Sequence, residues 1–274
     1  MRVTCTLLYA CLVSWQNHLV STLSVTPPGD KKLNTCRRSL LLVPISSLLP
    51  FLSSSPAGAF DNAIPEFKKY SDRPKRRGTP PRDLAVLPRT TEGELDRVIQ
   101  PGLRTCDGNP NCFSTTGDFR LEDRQQFGVD FFLSPWIPPP TDNSMQSLKT
   151  ISNVVRSYEP GQGGIDGGGF SIIKEESAYL YYQFESLKKG YIDDLEFAVS
   201  FKNSDSGILV RSASRVGITD FGVNAIRLNY IASQLRSKGW TIDEITEKSH
   251  RDYWTAANEA RDATFDADRR SMDN

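Results

Sequence analysis

The strictest constraint in this sequence is the alternating stretch DDLEFAVSF at 193–201, a pattern typical of a strand with one buried face. After the turn-forming segment KNSDSG, the run ILVRSAS continues the pattern. Two alternating runs joined by a short polar turn predict an antiparallel hairpin. Its buried face is predicted to carry one apolar series, namely Leu195, Phe197, Val199, Phe201, Ile208 and Val210.

Apolar spacing predicts the elements around this hairpin. A helix is expected from Met145 in MQSLKTISNVVRSY, and FSIIKEE and AYLYYQFES are predicted strands, rich in aromatic and β-branched residues. A second helix should begin near Val223 and end before Gly239. Thr241 and Glu244 have capping-box spacing, which predicts a charged helix reaching to about Arg270. The expected fold class is α+β, with an antiparallel sheet of about four strands flanked by helices and a C-terminal helical extension.

The first 59 residues differ from the rest of the 274-residue chain. They hold five basic groups and one acidic group, whereas the whole chain is balanced at 33 of each. Arg37-Arg38, a diluted apolar run at Leu40–Leu52 and the sequence Ala57-Gly58-Ala59 are typical of a twin-arginine export signal. Four segments are therefore predicted: a cleavable presequence at 1–59 with cleavage before Phe60, a Pro- and charge-rich arm at 60–103, an α+β domain at 104–240, and a charged helix at 241–274.

A transit segment followed by a twin-arginine signal predicts a plastid protein of the thylakoid lumen. A first apolar run at 4–13 fits import through the secretory route. The alternative is a thylakoid-membrane anchor formed by 40–52, although thirteen residues with two prolines make a poor spanning helix. Within the arm, the basic run Lys75-Arg76-Arg77 is interpreted as a solvated linker.

After removal of the presequence, two cysteines remain, Cys106 and Cys112 in CDGNPNC. The turn formers between them allow the chain to fold back, so a disulfide is predicted, as suits an oxidising compartment. A metal pair is the alternative. It would lack ligands, because structural zinc normally takes four and the mature chain offers a single histidine, His250. No metal and no cofactor are predicted.

Polar side chains concentrate in the hairpin and in RSASRVGITDFGVN at 211–224. Asp194 and Glu196 share one face of their strand, and Asp220 can cap the following helix. Arginine forks with Asp and Asn oxygens can brace a strand–loop–helix corner, and the same groups can bind an anion. Both accounts stay open for the predicted site or network, which comprises Asp193, Asp194, Glu196, Arg211, Ser212, Ser214, Arg215, Asp220, Asn224 and Arg227.

Other motif-like stretches lack the companions that their chemistry requires. Asp220-Phe221-Gly222 matches a kinase triplet without the other kinase motifs. The glycines at 161–169 lead into a strand, whereas a phosphate loop opens a helix, so we interpret them as a linker. A Ser-His-Asp triad would depend on His250, which we expect on a solvent-facing helix. The sequence leaves enzymatic activity undecided.

Three ordered motifs, CDGNPNCFST, GYIDDLEF and VRSASRVGITDFGVNAIR, resemble the domain-of-unknown-function family 1499. The resemblance covers about residues 103–238, with Thr219 where the family usually has serine. The family implies no established activity. Its occurrence in plastids and bacterial envelopes fits the export signal.

These observations predict a non-enzymatic accessory or assembly protein of the thylakoid lumen, whose partner is a thylakoid membrane complex such as a photosystem. The alternative is an enzyme or binder of a small anionic ligand that uses the arginine-rich loop at 211–227 with Asp193, Asp194 and Glu196. No nucleic-acid partner is expected. Membrane contact would be at most peripheral and would require exposed apolar surface around Phe131, Phe132 and Trp136.

Overall fold

The fold centres on a five-stranded antiparallel sheet. The structure is a computed structural model that describes residues 60–92, 97–106, 108–116, 131–200 and 207–272. The predicted presequence, the anchor at 40–52, the hairpin turn and Phe201 lie outside these residues. The strands within the described residues are β1 (Leu87–Glu92), β2 (Arg97–Gly102), β3 (Cys112–Ser114), β4 (Phe170–Glu175), β5 (Tyr179–Glu185), β6 (Ile192–Val199) and β7 (Ile208–Ser214). The large sheet has the order β3-β7-β6-β5-β4, and β1 and β2 form a separate antiparallel pair.

The predicted hairpin is confirmed as β6 and β7. Phe197 lies opposite Val210, and Val199 lies opposite Ile208, so the two apolar series share a face. Leu195, Phe197, Ile208 and Val210 all belong to the main core. This register places their alternate neighbours on the other face of the sheet.

In the part of the chain that the structure describes, the α-helices are α1 (Ser144–Arg156), α2 (Val223–Arg236) and α3 (Arg251–Met272). Asn143 caps α1, because its side chain accepts the N–H of Gln146 at 2.9 Å. α1 packs against β5, β6, β7 and α2, and α2 also contacts β7. The two helices bury their apolar residues against the sheet, which confirms the α+β class. The sequence predicted about four strands for the large sheet, and the structure has five, the additional strand being β3.

The opposite face of the sheet is covered by the segment predicted as an arm. Tyr179, Tyr181, Ala198 and Leu209 of the sheet form a second apolar cluster with Leu103. Half-buried side chains of the arm pack against this cluster, namely Leu84, Ala85 and Val86. Short 3-10 helices at Pro65–Tyr70 and Gln162–Gly164 complete the described structure. The arm therefore forms a layer of the fold in spite of its proline and charge content.

The C-terminal helix begins ten residues later than predicted, at Arg251. Thr241 instead exchanges backbone hydrogen bonds with Ile137 at 2.9 and 3.0 Å, and its neighbours Trp240 and Ile242 are buried in the core. Core packing on both sides of Thr241 keeps this segment extended, so the capping-box prediction was wrong. Among the described residues, no helix has both the length and the apolarity needed to cross a bilayer.

Candidate functional site

The predicted disulfide is present and lies beside the arginine motif. Cys106 and Cys112 are bonded, with their Cα atoms 5.7 Å apart. The loop that they close contacts the motif directly: the Asn111 amide donates to the carbonyl of Gly217 at 2.6 Å, and the Asn111 carbonyl accepts the N–H of Ser214 at 2.9 Å. The disulfide therefore closes a loop that is hydrogen-bonded to the 211–217 segment.

The predicted site residues divide into two networks, because successive residues of a strand point to opposite faces. An arm-side network faces the covering arm and contains Asp194, Glu196, Arg211 and Arg215. A helix-side network faces α2 and contains Asp193, Ser212, Ser214, Asp220, Asn224 and Arg227. The adjacent residues Asp193 and Asp194 thus serve different networks.

Arg227 is the centre of the helix-side network and is fully buried. Its Nε donates to Asp166 Oδ2 at 2.8 Å, its Nη2 donates to Asp193 Oδ2 at 2.6 Å, and its Nη1 donates to Asn224 Oδ1 at 2.8 Å. The guanidinium also lies 4.6 Å from the centre of the Phe184 ring. A second contact to Asp166 makes that pair bidentate, the strongest arrangement for an arginine and a carboxylate.

Asp166 is a network member that sequence reasoning missed. It lies in the glycine-rich segment that we interpreted as a linker, has a positive φ of 56°, and is buried. The Tyr158 hydroxyl donates to Asp166 Oδ2 at 2.7 Å. A single acidic residue among glycines was the available signal, since aspartate tolerates a left-handed backbone better than most residues. The glycine-rich connection is therefore fastened to the centre of the fold.

Asp220 fixes the start of α2 from within the same network. Its carboxylate accepts the N–H of Gly222 at 3.0 Å and the N–H of Asn224 at 2.9 Å. The hydroxyl of Tyr253, which lies on α3, donates to it at 2.9 Å. The N-cap of α2 is Gly222, so the predicted N-cap at Asp220 was wrong by two positions, although the Asp220 carboxylate accepts these two backbone N–H groups. Burial raises the pKa of Asp220, and the donors named here are all neutral.

This raised pKa predicts that Asp220 makes the protein less stable as the pH rises. Between its unfolded-state pKa and its higher folded-state pKa, the folded chain binds more protons than the unfolded chain, so the free energy of unfolding falls with increasing pH. Chemical denaturation at about pH 4, near the pKa of an unperturbed aspartate, and at about pH 7.5 should show a smaller decrease in the free energy of unfolding for Asp220→Asn than for the wild type. An equal decrease in both would contradict the assignment to Asp220.

The arm-side network begins with a second bidentate pair. Arg215 donates from Nε to Asp194 Oδ2 at 2.8 Å and from Nη2 to Asp194 Oδ1 at 2.7 Å. The Tyr181 hydroxyl also donates to Asp194 Oδ1. Burial and the Asp194 charge raise the pKa of Tyr181 to about 12, so this hydroxyl keeps its proton at neutral pH. Both charged side chains of the pair are nearly inaccessible to water.

Glu196 connects the same network to the arm. It accepts the N–H of Ala85 at 2.9 Å and the Tyr179 hydroxyl at 2.6 Å, and it lies 3.5 Å from Nη1 of Arg211. Ala85 has a positive φ of 86°, an uncommon conformation for a residue with a side chain. Burial raises the pKa of Glu196.

The basic run of the arm also makes ionic contacts with the sheet. Arg77 Nη2 lies 2.6 Å from the fully buried Glu185 Oε2, and Lys75 Nζ lies 3.8 Å from Glu185 Oε1. Lys75 is also 3.8 Å from the centre of the buried Phe67 ring, and desolvation lowers its pKa. The interpretation of this run as a solvated linker was wrong for Lys75 and Arg77, because a buried carboxylate needs partners that no local pattern reveals.

A polar recess of about 210 Å³ opens between the arm, the disulfide loop and the arginine motif. Three arginines line it, Arg104, Arg211 and Arg215, together with one carboxylate, Asp194. The sequence left two accounts of these residues open, a braced corner of hydrogen-bonded groups and an open site. The structure contains both features: the groups are mutually bonded, and a recess converges on three of them.

Beyond Arg215, the loop at 215–222 presents apolar side chains to solvent. Ile218 is 73% exposed, and Val216 and Phe221 are 39% and 38% exposed. Trp136 is instead buried in the core, and Phe131 and Phe132 are half-buried. Peripheral membrane contact would require exposed apolar surface around Phe131, Phe132 and Trp136, and there the exposed large apolar side chain is that of Ile137, at 39%.

The remaining candidate, His250, lies in the interior. It is 7% exposed, in contrast to the solvent-facing position expected. Its ring nitrogens contact the Ser249 hydroxyl at 2.8 Å and the Phe132 carbonyl at 3.2 Å, and its ring meets Phe113 edge-on. Within the described ranges, no three His, Cys, Asp or Glu side chains converge as metal ligands.

Residues 102–235 match the model of a family described as a protein of unknown function, DUF1499, which confirms the resemblance and its extent. The matched segment runs from the end of β2 through α2, so it contains both networks and the disulfide. No similar curated protein and no similar solved structure was found.

Proposed function

We propose that this protein, which carries the DUF1499 domain, is an accessory or assembly protein of the thylakoid lumen. We further propose that it binds a membrane complex through the loop at 215–222. The observation that carries the proposal is the apolar surface of this loop, where Ile218 is 73% exposed beside Val216 and Phe221. Apolar side chains that cluster on an exposed loop are typical of protein contact sites.

The surroundings of the loop support a recognition role, because a loop held in one shape binds with less loss of conformational entropy. Arg215 is held by Asp194 at the beginning of the loop, and Asp220 is held by Tyr253 and Asn224 at its end. The Asn111 amide bonds the carbonyl of Gly217 between them. The buried polar groups therefore hold a surface whose exposed side chains are apolar.

The proposed compartment is supported by two independent features. The presequence combines twin arginines with an Ala-x-Ala cleavage sequence, which is typical of export into the lumen. The Cys106–Cys112 disulfide suits a compartment that is more oxidising than the cytosol.

The test is retention of a complex from mildly solubilised thylakoids of the source organism on the immobilised chain from Phe60. Wild type should retain a defined membrane complex, and Ile218→Glu should lose it, because a carboxylate would be desolvated in an apolar contact. Met145→Glu is the matched control, since Met145 is 64% exposed on α1 and lies outside the loop.

The melting temperatures of both variants should stay close to that of wild type, because both side chains are exposed. Retention of the same complex by wild type and Ile218→Glu would show that the loop is not the contact surface. Retention of no complex by the wild type would contradict the accessory function itself.

A further inference from the structure

We infer that the side chains of Arg76, Lys188 and Lys189 form a binding surface for an anionic lipid bilayer, separate from the contact proposed for the loop at 215–222. All three side chains are exposed, and none of them forms an ion pair with a residue that the structure describes. We call these three residues the basic cluster. Cations without a carboxylate partner inside the protein attract negative charges outside it.

The basic cluster is assembled from the arm and the turn between β5 and β6. The N–H of Arg76 donates to the carbonyl of Lys189 at 2.8 Å. Gly190, with a φ of 66°, lets the turn approach the arm closely, since a Cβ at this position would lie 2.6 Å from Cδ of Lys75. These contacts bring the exposed cations of two distant segments to one place on the surface.

Arg76 differs from its two neighbours in the basic run of the arm. Lys75 and Arg77 both approach the buried Glu185, whereas Arg76 between them is exposed. The contacts of the two neighbours fix the backbone on either side of Arg76. A charge on a segment that is already ordered costs little conformational entropy when it binds.

Exposed carboxylates are scarce around the basic cluster. The segments 73–82 and 186–191 that supply it hold five and two basic residues, respectively, and no acidic residue. Three carboxylates flank these segments in the sequence: Glu185 is buried, Asp83 lies 3.4 Å from an arginine, and Asp72 is exposed. The exposed charge of the two segments is therefore positive.

The segments that carry the basic cluster adjoin the loop at 215–222, whose exposed side chains are apolar. A Cβ at Gly78 would lie 2.5 Å from Cγ2 of Val216, and the N–H of Arg215 donates to the carbonyl of Ile192 at 3.0 Å. Cations beside exposed apolar side chains are typical of peripheral attachment to anionic membranes, because lysine and arginine are attracted to the headgroups and apolar groups enter the interface. This combination favours a lipid surface over an acidic protein, and it would bring the loop to the membrane that holds its proposed partner.

The experiment is co-sedimentation of the disulfide-bonded chain from Phe60 with vesicles of phosphatidylglycerol or phosphatidylcholine. The wild type should bind phosphatidylglycerol more tightly, and the preference should shrink at high ionic strength, because salt screens exposed charges. Lys188→Gln/Lys189→Gln should weaken binding to phosphatidylglycerol about 25-fold, since each basic residue near an anionic surface contributes about fivefold. Its melting temperature should stay close to that of wild type, because both side chains are exposed.

Lys149→Gln/Lys238→Gln is the matched control, because it removes the same net charge from two exposed lysines, one on α1 and one directly after α2. Its binding should equal that of wild type. Equal binding of the wild type to the two lipids would overturn the inference. Equal losses in the two double variants would overturn it as well, since they would show a response to net charge alone. Because the vesicles contain no protein, these outcomes are independent of the retention of a membrane complex by the loop.

Discussion

Replacing Arg227 with methionine is expected to lower the free energy of unfolding by about 3–5 kcal/mol, because the change leaves buried carboxylates without their cation. Arg227 is fully buried and bonds Asp166 at 2.8 Å and Asp193 at 2.6 Å. Methionine keeps much of the side-chain volume, so the loss should reflect charge and hydrogen bonding more than a cavity. Urea denaturation monitored by tryptophan fluorescence measures the difference.

The matched control for this prediction is Arg236→Met on the same helix. Arg236 is half-buried and donates at 3.3 Å to the carbonyl of Ile242, a contact that water can replace. Its substitution should cost less than about 1 kcal/mol. Similar losses for the two variants would mean that burial of the Arg227 network contributes little to stability. Adding Asp166→Asn to Arg227→Met should recover part of the loss, since it removes one of the stranded charges.

The sequence predicted those parts of the fold that local patterns determine. Alternation correctly placed the apolar residues of the β6–β7 hairpin on one face, because a shift of one residue would move Phe197 and Val210 to the other face. The spacing of two cysteines around turn formers gave the disulfide. These signals are contained within a few neighbouring residues, so they can be read without the tertiary structure.

The same patterns could not show which residues meet across the chain. Arg227 and Asp166 are 61 positions apart, and Arg77 and Glu185 are 108 apart, so neither pair has a local signature. The late start of α3 has the same cause: Thr241 satisfied a helix-capping pattern, but its backbone pairing with Ile137 is a long-range contact. The division of the polar motif into two networks followed from strand alternation and was available from the sequence. This division matters because the arm covers the second face of the sheet, so the polar residues on that face are also inside the fold.

The second large effect on stability is expected at the ion pair of Asp194 and Arg215. Its size decides whether this pair holds the loop at 215–222 in shape. We expect Asp194→Ala and Arg215→Ala each to lower the free energy of unfolding by about 3 kcal/mol, because each leaves an uncompensated charge in a site that is nearly closed to water. The double variant should lose much less than the sum of the two. A coupling energy of about 2 kcal/mol or more is expected for side chains in direct bidentate contact.

A large coupling energy would identify the pair as a brace that holds the loop at 215–222 in shape, in agreement with partner binding through Ile218. A cost below about 1 kcal/mol for Arg215→Ala would contradict the brace, since a buried arginine that stabilises the fold should not be removable without loss. In that case the shape of the loop would depend on its other contacts, those of Asp220 with Tyr253 and of Asn111 with Gly217. The double-mutant cycle therefore tests the brace by one thermodynamic measurement on four proteins.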